Sequence, residues 1–190
     1  MSARQTAAVI LAAGASTRLG RPKQLLVVDG ETLLDRAIRT ALEAGCSPVL
    51  AVLGAALPQV VTHTKRHDYI KLIHRNWQQG MASSIVRGIE NLPSIAPSAT
   101  GVILMTCDQP AVTPEHLRAL AASGETTASF YAGRPGVPAY FPAAAFPQLL
   151  QLTGDSGART LLQHAPTIAL PGGELDIDTE ADHQAAKQAI

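Results

Sequence analysis

The chain has 190 residues, fifteen basic and fifteen acidic side chains, 46% hydrophobic residues and 16% charged residues. The charged fraction is well below the average of about 25% for soluble domains, which argues against intrinsic disorder. A net charge of zero gives no broad basic field, so we expect neither a nucleic acid nor a membrane surface as a partner. The length fits a single domain, which we predict over residues 1–190.

The cysteine content and the apolar runs indicate the cellular compartment. Cys46 and Cys107 lie far apart and form neither a CxxC pair nor a disulfide framework. The N-terminal apolar run, residues 7–13, is short and leads into a basic loop, which disfavours a secretory signal. No run approaches the roughly 18 apolar residues of a membrane span. These features predict a cytoplasmic protein.

Short apolar runs alternate with amphipathic segments along the first two thirds of the chain. The predicted strands are residues 7–11, 48–53, 70–73 and 101–105, and the predicted helices are residues 32–44, 59–66, 81–92 and a helix that begins at Thr113. This alternation is typical of βαβ units. It predicts an α/β fold, Rossmann-like and doubly wound, in which a mostly parallel sheet carries helices on both faces.

The last third of the chain is less regular. We predict strands at residues 128–131 and 138–141 on either side of a Gly-Arg-Pro-Gly turn, a helix at 157–164 and a strand at 168–170. Thr179 and Asp182 have the spacing of a capping box and predict the start of a final helix. Ligands of such sheets bind beyond the carboxyl ends of the strands, so the residues that follow each strand are the candidates for function.

The loop after the first strand has the composition of a phosphate-binding loop. It runs from Gly14 to Lys23 and contains Ser16, Arg18 and Gly20. Glycines let backbone N–H groups approach a phosphate, and the cations neutralise it. The loop matches neither the Walker pattern nor the dinucleotide pattern GxGxxG. Its glycines and cations together predict a phosphate site, although glycines alone would indicate only a turn.

Asp108 follows the fourth predicted strand, within the sequence Thr-Cys-Asp-Gln-Pro. A carboxylate at the end of a buried strand can hold Mg²⁺ while substrate phosphates complete the coordination. An aspartate before a proline can also form an ordinary turn. The metal site is favoured because Asp108 and the Gly14–Lys23 loop are expected at the same edge of the sheet.

Several motifs, kept in order along nearly the whole chain, resemble the nucleotidyltransferases that mature the molybdenum cofactor, and most of all the molybdenum cofactor cytidylyltransferases. These motifs are LAAGASTRLGRPKQLL, NWQQGMASSI, CDQP, GRPGVPAYF, GDSGAR and DIDT, which begin at Leu11, Asn76, Cys107, Gly133, Gly154 and Asp176. Leu19 departs from the family pattern, where methionine is more common. The swap is conservative.

The resemblance implies a role for each matching position. The nucleotide-binding residues would be Leu11, Ala12, Ala13, Gly14, Ser16, Arg18 and Lys23, the catalytic residues Arg18, Lys23 and Asp108, and the metal ligands Asp108 with Asp176 or Asp178. The acceptor-binding residues would be Gly80, Met81, Ser84, Gly136, Asp155 and Arg159. The resemblance implies CTP as the favoured nucleoside triphosphate, a molybdopterin-type phosphate as the acceptor, and a molybdoenzyme or its chaperone as a further partner.

Other interpretations stay open at this point. GTP, or a sugar or isoprenoid phosphate, would keep the same chemistry with other substrates, and a non-catalytic cofactor-binding accessory protein belongs to a different class. Asp155 and Ser156 could cap the helix at 157–164, touch the acceptor, or do both. His63 and His67 stand four residues apart, as zinc ligands on a helix can, but without a third ligand we expect a solvated helix face.

Overall fold

The computed structural model describes residues 5–189, so the first four residues and Ile190 of the predicted domain lie outside the described part of the chain. The strands are β1 (Gln5–Ala12), β2 (Val27–Val28), β3 (Glu31–Thr32), β4 (Val49–Leu53), β5 (Ile70–Ile73), β6 (Ala99–Thr106), β7 (Thr127–Tyr131), β8 (Arg134–Pro142) and β9 (Thr167–Ala169). The α-helices are α1 (Leu33–Glu43), α2 (Leu57–His63), α3 (Met81–Ile95), α4 (Pro114–Ala122), α5 (Phe146–Leu149), α6 (Arg159–Leu162) and α7 (Glu180–Ala189).

Seven strands form one mostly parallel sheet in the order β5-β4-β1-β6-β8-β7-β9. The first four strands of this order are parallel, and β8 pairs antiparallel with both β6 and β7. After β1 the chain continues to one side through β4 and β5, and it later returns to the other side of β1 as β6. This reversal places a crevice beyond the carboxyl ends of β1 and β6.

Helices cover both faces of the sheet, as the α/β Rossmann-like prediction requires. Alternate residues of β1 point to opposite faces, so that Ile10 packs with α1 and α4, and Val9 packs with α3. The central strands are buried on both sides, which explains why their sequences are continuous apolar runs. A small third cluster joins α7 and Ile177 to the β2–β3 hairpin. It brings the C-terminal part of the chain to the carboxyl edge of the sheet.

The predicted Gly-Arg-Pro-Gly turn is wrong, because Arg134 and Gly136 belong to β8. The turn consists of Ala132 and Gly133, which both have positive φ, as a two-residue hairpin requires. Only residues 139–142 of β8 pair with β6, so the stretch that contains Pro135 pairs with β7 alone. Proline is tolerated there because it lacks the backbone N–H that a second partner strand would need.

Other predicted elements shift or shorten at their ends. Helix α2 begins two residues earlier than predicted, with Pro58 in its first turn, and ends at His63; proline suits the first turn because no N–H is required there. The helix predicted over 157–164 comprises only Arg159–Leu162, since Gly157 has a φ of +57° and cannot join a right-handed helix. Asp155 and Ser156 do not cap this helix. Strand β9 ends one residue earlier than predicted.

The capping box of the last helix is confirmed. The Asp182 backbone N–H donates to Thr179 Oγ1 at 3.2 Å, and the Thr179 N–H donates to Asp182 Oδ2 at 2.7 Å. His63 is exposed on α2, whereas His67 is exposed beyond the end of that helix. Among the described residues, no helix is long and apolar enough to cross a bilayer.

Candidate active site

The loop that follows β1 is held by side chains from its own end. Ser16 adopts a left-handed conformation (φ +54°), and its hydroxyl accepts the backbone N–H of Lys23 at 3.1 Å. The buried amide of Gln24 donates to the carbonyl oxygens of Ala12 at 2.7 Å and Gly14 at 3.1 Å. These bonds fold the loop back on the end of β1, so that Arg18 and Lys23 lie at the crevice.

Lys23 joins the loop to two aspartates that are distant in sequence. Its ammonium group is ion-paired with Asp108 and also lies 3.0 Å from Asp178 Oδ1. Arg18 is paired with the other oxygen of the Asp178 carboxylate at 2.6 Å. Arg18 and Lys23, the two cations of the predicted phosphate site, are therefore both paired with Asp178.

The backbone explains why the aspartates meet. The N–H of Ile177 donates to the carbonyl of Asp108 at 3.0 Å, and the Ile177 side chain is buried in the cluster beside α7. The flanking Asp176 and Asp178 border the same cavity as Asp108. The segment Asp-Ile-Asp thus uses its apolar residue as an anchor and directs two carboxylates into the site.

The crowding of charge perturbs the ionisation of the site. Burial, together with the nearby carboxylates of Asp108 and Asp178, raises the pKa of Asp176 to about 6. Burial opposes the protonation of Lys23, but attraction to Asp108 and hydrogen bonds to both Asp108 and Asp178 outweigh it and raise the pKa of Lys23. Lys23 is therefore a permanent cation at neutral pH. Burial raises the pKa of the Cys107 thiol to about 12, so Cys107 is not a nucleophile.

The site has one feature that suits a cation. Oδ1 of Asp108 is buried and has no hydrogen-bond partner within residues 5–189, and such orphaned oxygens are costly unless a ligand satisfies them. The same residues contain no group of three or more His, Cys, Asp and Glu side chains that could hold a metal ion. Mg²⁺ commonly uses one or two carboxylates together with substrate phosphates, and Asp108 with a neighbouring aspartate fits that pattern.

Three cavities converge on Lys23. A cavity of about 310 Å³ lies between β1 and α3, one of about 330 Å³ lies between Asp108 and β8, and one of about 170 Å³ lies inside the β1 loop. We call them the α3 cavity, the β8 cavity and the loop cavity. Lys23 borders all three, and Asp108 borders the first two. A ligand in each cavity could thus present a negative group to the same ammonium.

The residues predicted to bind nucleotide are distributed over all three cavities, since Arg18 and Lys23 also border the β8 cavity. Leu11, Ala13 and Gly14 border the α3 cavity, while Ser16 and Arg18 border the loop cavity with Gly14. Ala12 is buried and borders none of the three cavities. Its carbonyl instead accepts the hydrogen bond from Gln24.

The residues predicted to bind the acceptor do not form one group. Gly80, Ser84 and Asp155 border the α3 cavity, facing Leu11 and Gly14. Gly136 and Arg159 border the β8 cavity, and Met81 borders both. The structure thus divides the predicted acceptor residues between the cavity beside the β1 loop and the cavity between Asp108 and β8.

The sequence prediction missed several residues of the site. Gln24 orders the β1 loop, and Arg134, Gln109 and Tyr131 border the β8 cavity. Arg134 was missed because the sequence pattern assigned it to a turn. Gln24 follows Lys23 directly in the sequence. Its side chain is only 1% exposed, and this burial, which identifies it as a support of the loop, is visible only in the structure. Trp77 borders the α3 cavity and packs against Gly54, where a Cβ would come within 2.8 Å of the indole ring.

Comparison with known proteins places this site in a family. Residues 8–169 match the family model of the MobA-like NTP transferase domain. Similar proteins are nicotine blue oxidoreductase of Paenarthrobacter nicotinovorans, 32% identical over 84% of this chain and 82% of that protein, and purine catabolism protein PucB of Bacillus subtilis, 30% identical over 96% of both chains. The molybdenum cofactor cytidylyltransferase of Escherichia coli K12 is 26% identical over 95% of this chain and 94% of that protein.

Solved structures give the same result. The crystal structure of Rv0371c from Mycobacterium tuberculosis H37Rv is 32% identical, covers both chains fully and superposes with a TM-score of 0.84. Another structure of Rv0371c, in complex with manganese, has a TM-score of 0.80 at 29% identity, over 99% of this chain and 100% of that one. The family match, the relatives and the site at the carboxyl ends of β1 and β6 agree, and the chain belongs to the family of MobA-like NTP transferase domains and is a nucleotidyltransferase.

Proposed function

We propose that the protein, as one nucleotidyltransferase domain over residues 1–190, transfers CMP from CTP to the phosphate of molybdenum cofactor and releases pyrophosphate. The observation that carries this proposal is the position of Lys23 at the meeting point of the three cavities. A transfer between two phosphate-bearing substrates requires a fixed cation where their negative groups approach.

The nucleoside of CTP occupies the α3 cavity. Leu11, Ala13 and Gly14 border this cavity, where their backbone groups can face a base, and Gln24 fixes the carbonyl of Gly14. Fixed backbone groups can discriminate between bases because a wrong base leaves them unpaired. The full-length similarity to the cytidylyltransferase of E. coli supports CTP as the nucleotide.

The triphosphate binds in the loop cavity, where it contacts Arg18 and Lys23. To do so it replaces the carboxylate of Asp178, which pairs with both cations. Guanidinium and ammonium groups bind phosphate oxygens through charge-assisted hydrogen bonds. The pairing with Asp178 keeps the two cations in place before the nucleotide arrives.

Asp108 and either Asp176 or Asp178 would hold Mg²⁺. The orphaned Oδ1 of Asp108 supports a cation at this point, and Asp176 and Asp178 border the same cavity. When bound, the divalent cation neutralises charge on the phosphates during transfer. The manganese complex of Rv0371c supports a divalent metal for this fold.

The acceptor phosphate enters the β8 cavity, which Arg134 and Arg159 border. From there its oxygen attacks the α-phosphorus of CTP, the bond to the β-phosphate breaks, and pyrophosphate leaves in line. A phosphate oxygen is already a nucleophile at neutral pH, so no general base is required. The product would pass to a molybdoenzyme or its chaperone, and a cytoplasmic location follows from that role.

The test is a panel of CTP, GTP, ATP and UTP incubated with Mg²⁺ and molybdenum cofactor, with pyrophosphate release and product mass as readouts. We expect release with CTP and a cytidine dinucleotide product, and we expect both to fall in Lys23→Ala when CTP is below its KM. The Arg118→Gln variant is the control, because Arg118 pairs with Glu115 on α4, outside the three cavities. A preference for GTP, or a requirement for a sugar phosphate in place of the cofactor, contradicts the assignment.

A further inference from the structure

A large cavity lies outside the proposed active site. It has a volume of about 750 Å³ and lies between the end of β5, the solvent side of α3 and the segment from Leu150 to Gly154. We call it the β5 cavity. Its volume is within the range of about 300–1,000 Å³ that is typical of small-molecule sites.

The β5 cavity contains two arginines that have no partner. Ten arginines lie within residues 5–189, and the side chains of six of them make hydrogen bonds or salt bridges, namely Arg18, Arg21, Arg36, Arg39, Arg66 and Arg118. The other four make none within these residues. Two of them, Arg134 and Arg159, border the β8 cavity, and the other two, Arg75 and Arg87, border the β5 cavity.

The remaining lining of the cavity is part apolar and part polar. Ile73, Leu150 and Leu152 form an aliphatic part of the lining, and Ile73 and Leu150 are 46% and 38% exposed. Glu90 is the single acidic residue of the lining, and it forms no salt bridge with Arg87, although the two are one turn apart on α3. The lining therefore carries a net positive charge.

His74 gives the polar wall a fixed geometry. The hydroxyl of Ser83 donates to the carbonyl of Gly80 at 2.7 Å, so the Nε2–H of His74 donates to that hydroxyl at 2.8 Å. The His74 backbone N–H is also bonded to Leu53 at 2.8 Å. Burial and the neighbouring Arg87 lower the pKa of His74, so the imidazole is neutral and the positive charge of the cavity belongs to the arginines.

A wall separates this cavity from the proposed active site. Gln79 faces the β5 cavity, whereas Trp77 and Gly80 face the α3 cavity. The Ala82 N–H donates to the Gly154 carbonyl at 3.1 Å and closes the wall. Neither Lys23 nor Asp108 borders the β5 cavity, and so it is not a part of the site for transfer.

We propose that the β5 cavity binds a small organic anion, whose phosphate or carboxylate group pairs with Arg75 and Arg87 and whose apolar body packs on Ile73, Leu150 and Leu152. Arginine suits both head groups because its planar fork donates two parallel hydrogen bonds to a pair of oxygens. The exposed aliphatic side chains favour a ligand with an apolar body over a free inorganic ion.

The test is a titration of the full chain, followed through the methyl signals of Ile73, Leu150 and Leu152 by ¹H–¹³C NMR. The probes are phenyl phosphate, benzoate and the neutral benzyl alcohol, at constant ionic strength. We expect saturable shifts of these methyls with one or both anions, and the difference between the two anions identifies the head group. In the Arg75→Gln/Arg87→Gln double variant the affinity should fall by about tenfold or more, and in the Arg118→Gln control it should not change.

The signal of Met81 separates this site from the active site, because Met81 borders the α3 and β8 cavities. Shifts confined to Met81 would contradict the proposal. So would equal binding of benzyl alcohol, unchanged affinity in the double variant, or anion shifts that do not saturate. Both arginines lie on the surface side of the cavity without partners, so the double variant is expected to fold, and its unliganded methyl spectrum checks this.

Discussion

Replacement of Gly80 by alanine tests whether the start of α3 is fixed by backbone geometry. Gly80 has φ +99° and ψ 173°, a combination that is essentially restricted to glycine. A Cβ at this position would meet the carboxylate of Asp155 and lie 2.6 Å from the Gly154 carbonyl oxygen. Asp155 can rotate away because it is an exposed side chain, but the Gly154 backbone cannot yield without moving its segment.

Two costs add up for Gly80→Ala. The unfavourable dihedral angles cost about 1–3 kcal/mol, and the forced contact with backbone atoms costs a further 1–3 kcal/mol, roughly, as overpacking usually does. We therefore expect a loss of about 3 kcal/mol in the free energy of unfolding. The matched control is Gly45→Ala, since Gly45 has φ +86° with open space around its Cβ position. Only the left-handed conformation is penalised there, at about 1–2 kcal/mol.

Urea unfolding followed by circular dichroism measures both variants, and pyrophosphate release measures their function. Gly80→Ala should be less stable than Gly45→Ala by about 2 kcal/mol, which corresponds to about 4–8 °C in Tm for a chain of this size. Its KM for the nucleotide should also rise, because Gly80 borders the α3 cavity. If the two variants are equally stable and Gly80→Ala keeps a normal KM, the argument that this junction is rigid is refuted.

Three further predictions follow from the site and the core. Lys23→Ala should raise the KM for the nucleotide about tenfold to a hundredfold through lost charge-assisted bonds, and it should raise the KM for the acceptor less. Steady-state kinetics with each substrate varied in turn measures both values. A larger rise in the KM for the acceptor would contradict the role of Lys23 in nucleotide binding. Asp108→Asn should lower kcat by orders of magnitude with the circular dichroism spectrum unchanged, and near-normal turnover would remove Asp108 from the metal site. Burial lowers the pKa of His116 from 6.5, and its Nε2–H donates to Ser129 Oγ at 2.7 Å, so protonation is favoured in the unfolded chain. The stability that His116 contributes should thus be complete above about pH 6.5 and be lost as the pH falls. Urea unfolding at pH 7.5 and at pH 5.5 measures this loss. Between these two pH values, the free energy of unfolding of His116→Gln should fall by less than that of the original chain.

Most of the fold could be predicted because local patterns and tertiary structure agree there. The buried strands β1, β4 and β6 are continuous apolar runs, and α1 carries its apolar residues at helical spacing. The capping box at Thr179 was also predictable, since both partners lie within one turn. The sequence failed at β8 and α6, where Pro135 and Gly157 obscure the periodicity and where the pairing partner or the dihedral angle decides the outcome.

The candidate site, like the fold, could be predicted only in part from the sequence. The Gly14–Lys23 loop and Asp108 could be identified from the sequence because each directly follows a buried strand. The role of Gln24 as the support of that loop depends on its burial against Ala12 and Gly14. The division of the acceptor residues between the α3 and β8 cavities depends on where α3, β8 and the segment around Asp155 meet.

The sequence by itself determined that a protein of zero net charge carries a local concentration of cations behind its first strand, and that Asp108 lies at the end of a later strand. Only the tertiary structure decided that these charges neutralise one another in pairs, with Lys23 between Asp108 and Asp178, which are 85 and 155 residues away in the chain. The physical reason is that Coulomb attraction depends on distance in space, and the crossover of the sheet and the burial of Ile177 set that distance.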